Sequence, residues 1–116
     1  MHEYSIVQSL IDTCEAHAKE NNAKRVTKVV LKIGVMSGIE PQLLQTAFDT
    51  FKEETICHDA ELVLNVQKVL VMCKTCHKES TLEKFEYLCG HCKSIELDIV
   101  DGEEMYLMQL ELEENE

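Results

Sequence analysis

Four cysteines late in the chain stand at a spacing that binds metal. Cys73 and Cys76 form one CxxC pair, and after twelve intervening residues Cys89 and Cys92 form a second. Two such pairs bring four thiolates to a single ion, and a tetrahedral sulfur shell favours zinc. Because a closed four-thiolate shell leaves no open position for a substrate, the spacing predicts a structural zinc site.

Two other interpretations of these cysteines explain less. A redox dithiol needs only one CxxC pair. Covalent haem attachment would use the segment CKTCH, which ends at His77, but it leaves the second pair without a role. His77 follows Cys76 and His91 lies inside the second pair, so each is a possible pH-dependent zinc ligand, since imidazole titrates near neutrality. The alternative is that both histidines are exposed residues of the cysteine turns.

The other two cysteines carry no metal-binding pattern. Cys14 falls on the apolar face of the first predicted helix, where we expect a small core residue. Cys57 and His58 lie in the short segment ICHD, and an ordinary turn is favoured there over a second metal site.

The N-terminal residues Met1, His2 and Glu3 place nitrogen donors at chelating spacing. His2 is bulky, so we expect Met1 to be retained. The terminal amine and the His2 amide nitrogen close a five-membered ring on a metal, and the His2 amide and imidazole close a six-membered ring. Planar nitrogen-rich sites suit Ni(II) or Cu(II). A histidine at position 2 usually has no such role, so the residues alone leave both interpretations open.

The charge of the chain excludes one class of partner. There are 22 acidic and 11 basic side chains, which gives a net charge of −11. A surface of this charge repels phosphate backbones, so we expect no nucleic-acid partner.

Hydropathy predicts a cytoplasmic protein with no membrane partner. No apolar run approaches the ~18 residues that span a bilayer. His2 and Glu3 stand where a signal peptide would carry its basic region. In the cytosol the six cysteines are expected to be thiols or metal ligands.

Periodicity predicts two helices and three strands. The first helix runs from Tyr4 to Ala18, and the second begins at Pro41. The predicted buried faces are Tyr4, Val7, Leu10, Ile11, Cys14 and Ala18 for the first, and Leu43, Leu44, Ala47, Phe48 and Phe51 for the second.

The predicted strands span residues 26–36, 60–72 and 105–112, and the second has a bulge or bend near Gln67 and Lys68. Their inward residues are Val29, Leu31, Ile33 and Val35 in the first strand, and Tyr106, Met108, Leu110 and Leu112 in the third. We therefore expect an α+β fold. Two helices pack on a three-stranded mixed sheet, with a zinc-ribbon-like four-cysteine segment inserted between the last two strands.

Three motifs taken together resemble one family from end to end. The start MHEYSIV, the passage IGVMSGIEP and the two late CxxC pairs are similar to the HypA/HybF family of hydrogenase nickel-incorporation proteins. The second pair here reads CGHC, without the proline of many members and with His91 inside it.

The resemblance implies a nickel metallochaperone and not an enzyme. It implies that residues 1–71 and 101–116 form a nickel-binding domain, with nickel at Met1, His2 and Glu3. Residues 72–100 form a zinc-binding domain, whose ligands are Cys73, Cys76, Cys89 and Cys92. The implied partners are the GTPase HypB and the large subunit of a [NiFe] hydrogenase, and in some members urease maturation proteins. We expect a monomer or a weak homodimer.

Two rival functions remain open on the residues alone. A zinc-ribbon interaction or transcription-type module without a nickel function would account for the cysteine pairs, but it would require a basic face. A thiol oxidoreductase would require one accessible CxxC pair. Neither accounts for the N-terminal Met-His-Glu sequence.

Overall fold

The computed structural model describes residues 3–82 and 86–115. In chain order its elements are helix α1 (Glu3–Glu20), strand β1 (Ala23–Gly34), a 3-10 turn (Val35–Ser37), helix α2 (Pro41–Phe51) and strands β2 (Glu61–Gln67), β3 (Leu70–Cys73), β4 (Glu79–Thr81), β5 (Leu97–Asp101) and β6 (Met105–Glu114). No helix in the described part of the chain is long and apolar enough to cross a membrane.

The chain divides into two compact units. The first, here called the helical unit, comprises Met1–Lys32, Ile39–Asn65 and Tyr106–Glu116. The second, the cysteine unit, comprises Ile33–Gly38 and Val66–Met105.

Helix α1 buries the stripe that its periodicity predicts. Its buried apolar residues are Val7, Leu10, Ile11, Cys14 and Ala18. The prediction for Tyr4 is wrong, because its side chain is 64% exposed. The Tyr4 ring meets Phe51 of α2 edge-on, with 5.1 Å between ring centroids, so it packs on the outside of the helix pair.

Helix α2 begins where the sequence predicts it. Pro41 occupies the first turn, where no backbone donor is lost, and the Glu40 side chain caps the helix by accepting from Gln42 N at 3.0 Å. Leu44, Ala47 and Phe48 are buried as expected, whereas Leu43 and Phe51 are exposed, so the predicted face is too wide. The buried positions form a narrow stripe of i, i+3 and i+4 residues.

The helical unit contains most of a three-stranded mixed sheet in the order β2-β1-β6, which confirms the predicted fold class. Asn115 N donates to Asn22 O at 3.0 Å, and Gly34 N donates to Glu104 O at 3.0 Å. These bonds join the start of β1 to the end of β6 and the end of β1 to the start of β6. The two strands are therefore antiparallel.

Three strand details differ from the sequence prediction. The predicted strand 60–72 is two strands, because the chain leaves the first sheet at Lys68 and Val69, beside the expected bend. Val35 is 56% exposed because β1 ends at Gly34 and a 3-10 turn follows. Tyr106 and Met108 are exposed rather than inward. Met108 and Gln109 are exposed in succession, so the inward phase of β6 changes between them.

The second sheet lies in the cysteine unit and has the order β4-β3-β5, with both pairs antiparallel. Its core is small. The buried members are Val69, Val71, Cys73, Cys89 and Leu97, and Cys76, Leu82 and Ile99 pack against them while partly buried. Because β3 ends at Cys73, this sheet sets the position of the first cysteine.

Two glycines let backbone segments meet closely within the cysteine unit. A Cβ on Gly34 would lie 2.3 Å from the carbonyl carbon of Gly102, and Met36 N donates to Gly102 O at 2.8 Å. Gly102 has φ +103°, a conformation that side chains disfavour. The Ile33–Gly38 segment is therefore held against the turn between β5 and β6.

Candidate metal centre

The structure brings the four cysteines of the two CxxC pairs into one cluster. The four Sγ atoms all lie within 4.8 Å of one another. Cys73 Sγ is 3.6 Å from Cys92 Sγ, and Cys76 Sγ is 3.6 Å from Cys89 Sγ. Each close contact joins one pair to the other, so the two pairs face each other across a common centre.

The two pairs form matching turns, here called knuckles. In the first, Thr75 N and Cys76 N donate to Cys73 Sγ at 3.3 and 3.4 Å. In the second, His91 N and Cys92 N donate to Cys89 Sγ at the same two distances, 3.3 and 3.4 Å. The first cysteine of each knuckle thus receives two backbone N–H groups, which stabilise a thiolate.

Each knuckle closes in the same way. His77 N donates to Cys73 O at 3.0 Å, and Lys93 N donates to Cys89 O at 3.1 Å. His77 and Lys93 both have positive φ, 58° and 66°, at the residue after the second cysteine. The repeat shows that the second knuckle has the geometry of the first, although it holds no proline.

A contact between the knuckles was not predicted from the sequence. Thr75 Oγ1 lies 3.0 Å from Ser94 Oγ, and the Ser94 hydroxyl also accepts from Glu96 N at 3.1 Å. Aligning the two knuckles on their cysteines puts Thr75 opposite His91 and Lys78 opposite Ser94. The two hydroxyls come from positions that are not equivalent in this alignment. The sequence therefore gives no sign that Thr75 and Ser94 meet.

The electrostatics of the cluster separate its members by position. Backbone N–H donors from Cys76 and Thr75 lower the pKa of Cys73, and those from Cys92 and His91 lower the pKa of Cys89 to about 6. Desolvation raises the pKa of Cys76 to about 12. In each knuckle the first cysteine therefore has a lower pKa than the second and loses its proton more readily.

The donor set fits a tetrahedral thiophilic ion. With metal–sulfur bonds of ~2.3 Å, a tetrahedral shell has sulfur atoms about 3.8 Å apart. The 3.6 Å contacts and the 4.8 Å limit on all four sulfur atoms leave room for this shell with small adjustments. Four thiolates and no oxygen donor favour zinc over magnesium or calcium.

The two histidines beside the cysteines are not members of the cluster. His91 Nε2 lies 3.1 Å from the Glu79 carbonyl oxygen, which orients its ring toward β4. His77 is exposed at the positive-φ position of its knuckle. Their role as pH-dependent ligands stays a prediction.

The two remaining cysteines lie in the helical unit. Cys14 and Cys57 are both fully buried and free. Cys57 lies in the turn that leads to β2, and its backbone N donates to Thr55 Oγ1 at 3.1 Å. His58 is exposed and its Nδ1 lies 3.3 Å from Asp59.

Of the three residues predicted to bind nickel, Met1 and His2 lie outside the described residues. Glu3 is the first residue of α1, and only 7% of it is exposed. With Tyr4, Leu43, Thr46 and Ala47 it lines a cavity of about 180 Å³ between α1 and α2.

Comparison with known proteins identifies the family. The model of the family described as "Hydrogenase/urease nickel incorporation, metallochaperone, hypA" matches residues 1–112. The chain belongs to the HypA family. It is a nickel metallochaperone of the hydrogenase maturation type, and not an enzyme.

Individual HypA proteins match over nearly their full length. The hydrogenase maturation factor HypA of Shewanella baltica is 52% identical over 116 residues, which cover 100% of this chain and 99% of that protein. The same factor from Aquifex aeolicus is 52% identical over 113 residues, covering 97% of this chain and 98% of its own. The solution structure of the Ni metallochaperone HypA from Helicobacter pylori superposes with a TM-score of 0.71 at 41% identity, covering 99% of this chain and 100% of that one.

Proposed function

We propose that this HypA protein binds Ni(II) at its N-terminal Met-His-Glu sequence and delivers it to the large subunit of a maturing [NiFe] hydrogenase. The match of residues 1–112 to the nickel-incorporation family carries this proposal, because it includes the N-terminal sequence itself. Delivery to urease is a second destination, favoured by the family description, which names both enzymes.

The proposed nickel ligands are the terminal amine of Met1, the amide nitrogen and imidazole of His2, and a group from Glu3. Chelate rings of five and six members join the first three donors, and a planar nitrogen set suits Ni(II). Glu3 begins α1 and is largely buried. The helix therefore supports the last residue of the chelate, while a site at a chain end can release its metal to a recipient.

We propose zinc as the metal of the four-cysteine cluster, held by Cys73, Cys76, Cys89 and Cys92. Support comes from their mutual contacts and from the backbone N–H groups that favour thiolates at Cys73 and Cys89. When bound, the ion would join the two knuckles through four metal–sulfur bonds. We assign it a structural role, with residues 72–100 as the zinc-binding domain and the rest of the chain as the nickel-binding domain.

We propose the GTPase HypB and the hydrogenase large subunit as partners, and a cytoplasmic location. None of the six cysteines, all of which lie in the described part of the chain, forms a disulfide, which suits a reducing compartment.

Complementation in a strain that lacks its own HypA tests delivery. The wild-type chain should restore hydrogenase activity in low-nickel medium, and His2→Ala should not, because it removes the imidazole donor. The matched control is His17→Ala, an exposed histidine at the other end of α1, which should complement fully. Equal complementation by His2→Ala and the wild type would contradict the proposal.

A second measurement separates delivery from folding. The His2→Ala protein should retain its zinc content and its circular dichroism spectrum. If it loses either, the maturation defect reflects misfolding, and nickel binding by the N-terminus has to be measured directly.

A further inference from the structure

The cavity between α1 and α2 has a buried acidic residue in its wall. Its volume is about 180 Å³, and it is lined by Glu3, Tyr4, Leu43, Thr46 and Ala47. Glu3 and Ala47 are buried, whereas Tyr4 and Leu43 are 64% and 54% exposed. The buried pair therefore forms the floor of the cavity, and the exposed pair lines its opening at the surface of the helical unit.

The Glu3 carboxylate has no cation to pair with in the described part of the chain. No described residue forms an ion pair or a hydrogen bond with this side chain. Helix α2 contains no lysine or arginine, and the first such residue of α1 is Lys19, near the other end of that helix. Every fully enclosed side-chain nitrogen or oxygen of the described residues has a hydrogen-bond partner. The carboxylate without a partner therefore has accessible oxygen atoms, beside the cavity that Glu3 lines.

We propose that this cavity is the docking site for one arginine side chain of a partner protein. A guanidinium group pairs with a carboxylate through two parallel hydrogen bonds, and its planar face stacks on an aromatic ring such as that of Tyr4. The methylene stem of arginine packs on apolar side chains, which Leu43 and Ala47 supply here. The cavity volume is several times the ~30 Å³ that one water occupies in the liquid, so a side chain has room to enter.

Lysine and a second copy of this chain are poorer occupants of the cavity. A lysine ammonium is compact and strongly hydrated, so it loses more hydration on entering an apolar cavity, and it has no planar face to stack. The chain has one arginine, Arg25, which already pairs with Glu113 and Asp59. The arginine must therefore come from a different protein.

The side chains around the opening are suited to the partner segment that carries the arginine. Phe51 is 44% exposed, and its ring packs edge-on against Tyr4. Together with Leu43, these rings form an exposed apolar rim at one end of the helix pair. Exposed apolar surface with aromatic residues is typical of protein–protein interfaces. We therefore expect an apolar residue next to the arginine in the partner segment.

The position of the cavity relates it to the proposed function. Glu3 belongs to the sequence that we propose to bind nickel, so a partner that docks here would lie next to the nickel donors. A role of this contact in nickel delivery rests on the proposed function. The binding of an arginine side chain rests only on the cavity and can be tested without nickel.

Chemical shifts of the zinc-loaded, nickel-free, full-length protein test the proposal. The probe is N-propylguanidinium, which reproduces the arginine side chain, and N-propylurea is its neutral analogue of similar shape. We expect the guanidinium to shift the backbone amides of Leu43, Thr46 and Ala47. Its affinity should be about tenfold higher than that of the urea, because a charge-assisted pair adds to the same apolar contacts.

Three variants assign the effect to the cavity. Glu3→Gln keeps the size of the side chain and removes its charge, so the preference for the guanidinium over the urea should disappear. Leu43→Ala removes part of the apolar wall and should weaken the binding of both compounds. Glu20→Gln is the matched control, since Glu20 is exposed at the other end of α1, and it should bind both compounds as the wild type does. Circular dichroism checks that each variant is folded.

The outcome that overturns the proposal needs no variant. The proposal is wrong if the wild-type protein binds neither compound, or if the shifted amides lie elsewhere on the protein. Equal binding of the two compounds would show an apolar cavity without a preference for arginine, which also contradicts the proposal. Because no nickel is present, failure of this test leaves the proposed nickel binding untouched, and failure of nickel to bind would leave the result of this test unchanged.

Discussion

Each of the two units of the protein is stabilised in a different way. The helical unit has an apolar core to which both helices and the sheet contribute, with Val7, Leu31, Leu44 and Phe48 completely or almost completely buried. In the cysteine unit the buried cluster among the described residues has five members, of which Cys73 and Cys89 are two. We therefore expect apolar burial to stabilise the first unit by itself and the second unit to need its metal.

This difference indicates which part of the chain needs a metal for its stability. A metal cluster stabilises a small unit, but the fold of that unit then depends on the bound ion. The helical unit has an apolar core of its own, so its stability should not depend on metal. The predictions below test that separation, from the largest expected effect to the smallest.

Removing zinc should unfold the cysteine unit only. Metal binding in such sites supplies folding free energy on the order of 10 kcal/mol. A chelator, or Cys73→Ser, should therefore abolish amide protection from Val69 to Leu97 while α1 and α2 stay protected in hydrogen exchange. His91→Ala is the control and should retain the metal. Persistent protection of the segment without metal would show that the unit folds unaided.

Truncating Phe48 should destabilise the helical unit strongly. Phe48 is 0% exposed, and a buried Phe→Ala change costs about 3–5 kcal/mol. Phe51→Ala, on the same helix but 44% exposed, is the matched control and should cost less than half as much. Denaturant unfolding monitored by circular dichroism measures both. Zinc affinity should be unchanged in either variant, and a parallel loss would contradict the independence of the units.

A methyl group at Gly34 should strain the cysteine unit. Its Cβ would lie 2.3 Å from backbone atoms of Gly102, so the two segments must separate, at a cost of about 1–3 kcal/mol. Gly38→Ala is the contrast, because its site is open but its φ is +78°, which costs about 1 kcal/mol. Chemical shifts near Gly102 should move in Gly34→Ala. If the chemical shifts near Gly102 move only in Gly38→Ala, the close approach of Gly34 to Gly102 does not restrict the side chain at position 34.

The ion pairs between β1 and β6 should give a small, pH-dependent contribution. Hydrogen bonds from Arg25 and Lys24 lower the pKa of Glu113. A lowered carboxyl pKa stabilises the fold above the unfolded value of ~4.3, and this contribution is lost as pH falls through the folded value. Glu113→Gln should therefore be less stable than wild type at neutral pH and equal to it in acid. A gap that persists in acid would mean that packing, not charge, causes it.

Much of this architecture is readable from the sequence because it rests on strong local patterns. The three-and-four spacing from Val7 to Ala18 fixed the buried face of α1, and Pro41 marked the start of α2. The spacing of the CxxC pairs was enough to predict that four thiols converge, since each pair forms a turn by itself.

The errors occur where tertiary packing decides. Tyr4, Leu43 and Phe51 satisfy helical periodicity, but the groove between the helices has room for a narrower stripe, and these side chains stay outside. The break between β2 and β3 falls at Lys68 and Val69, whose backbone lies against Gly102, a neighbour distant in sequence.

The central claim is that nickel binds through the free N-terminus, and calorimetric nickel titration of three chains tests it most directly. The chains are the native protein, His2→Ala and a form extended by Gly-Ser before Met1. We predict specific binding by the native chain alone, since the extension converts the amine, which titrates near pH 8, into an amide. Native affinity should also fall as pH falls, because protons compete for the amine and the imidazole. If the extended chain binds as tightly as the native one, the amine is not a ligand, and if His2→Ala does so as well, the claim is wrong.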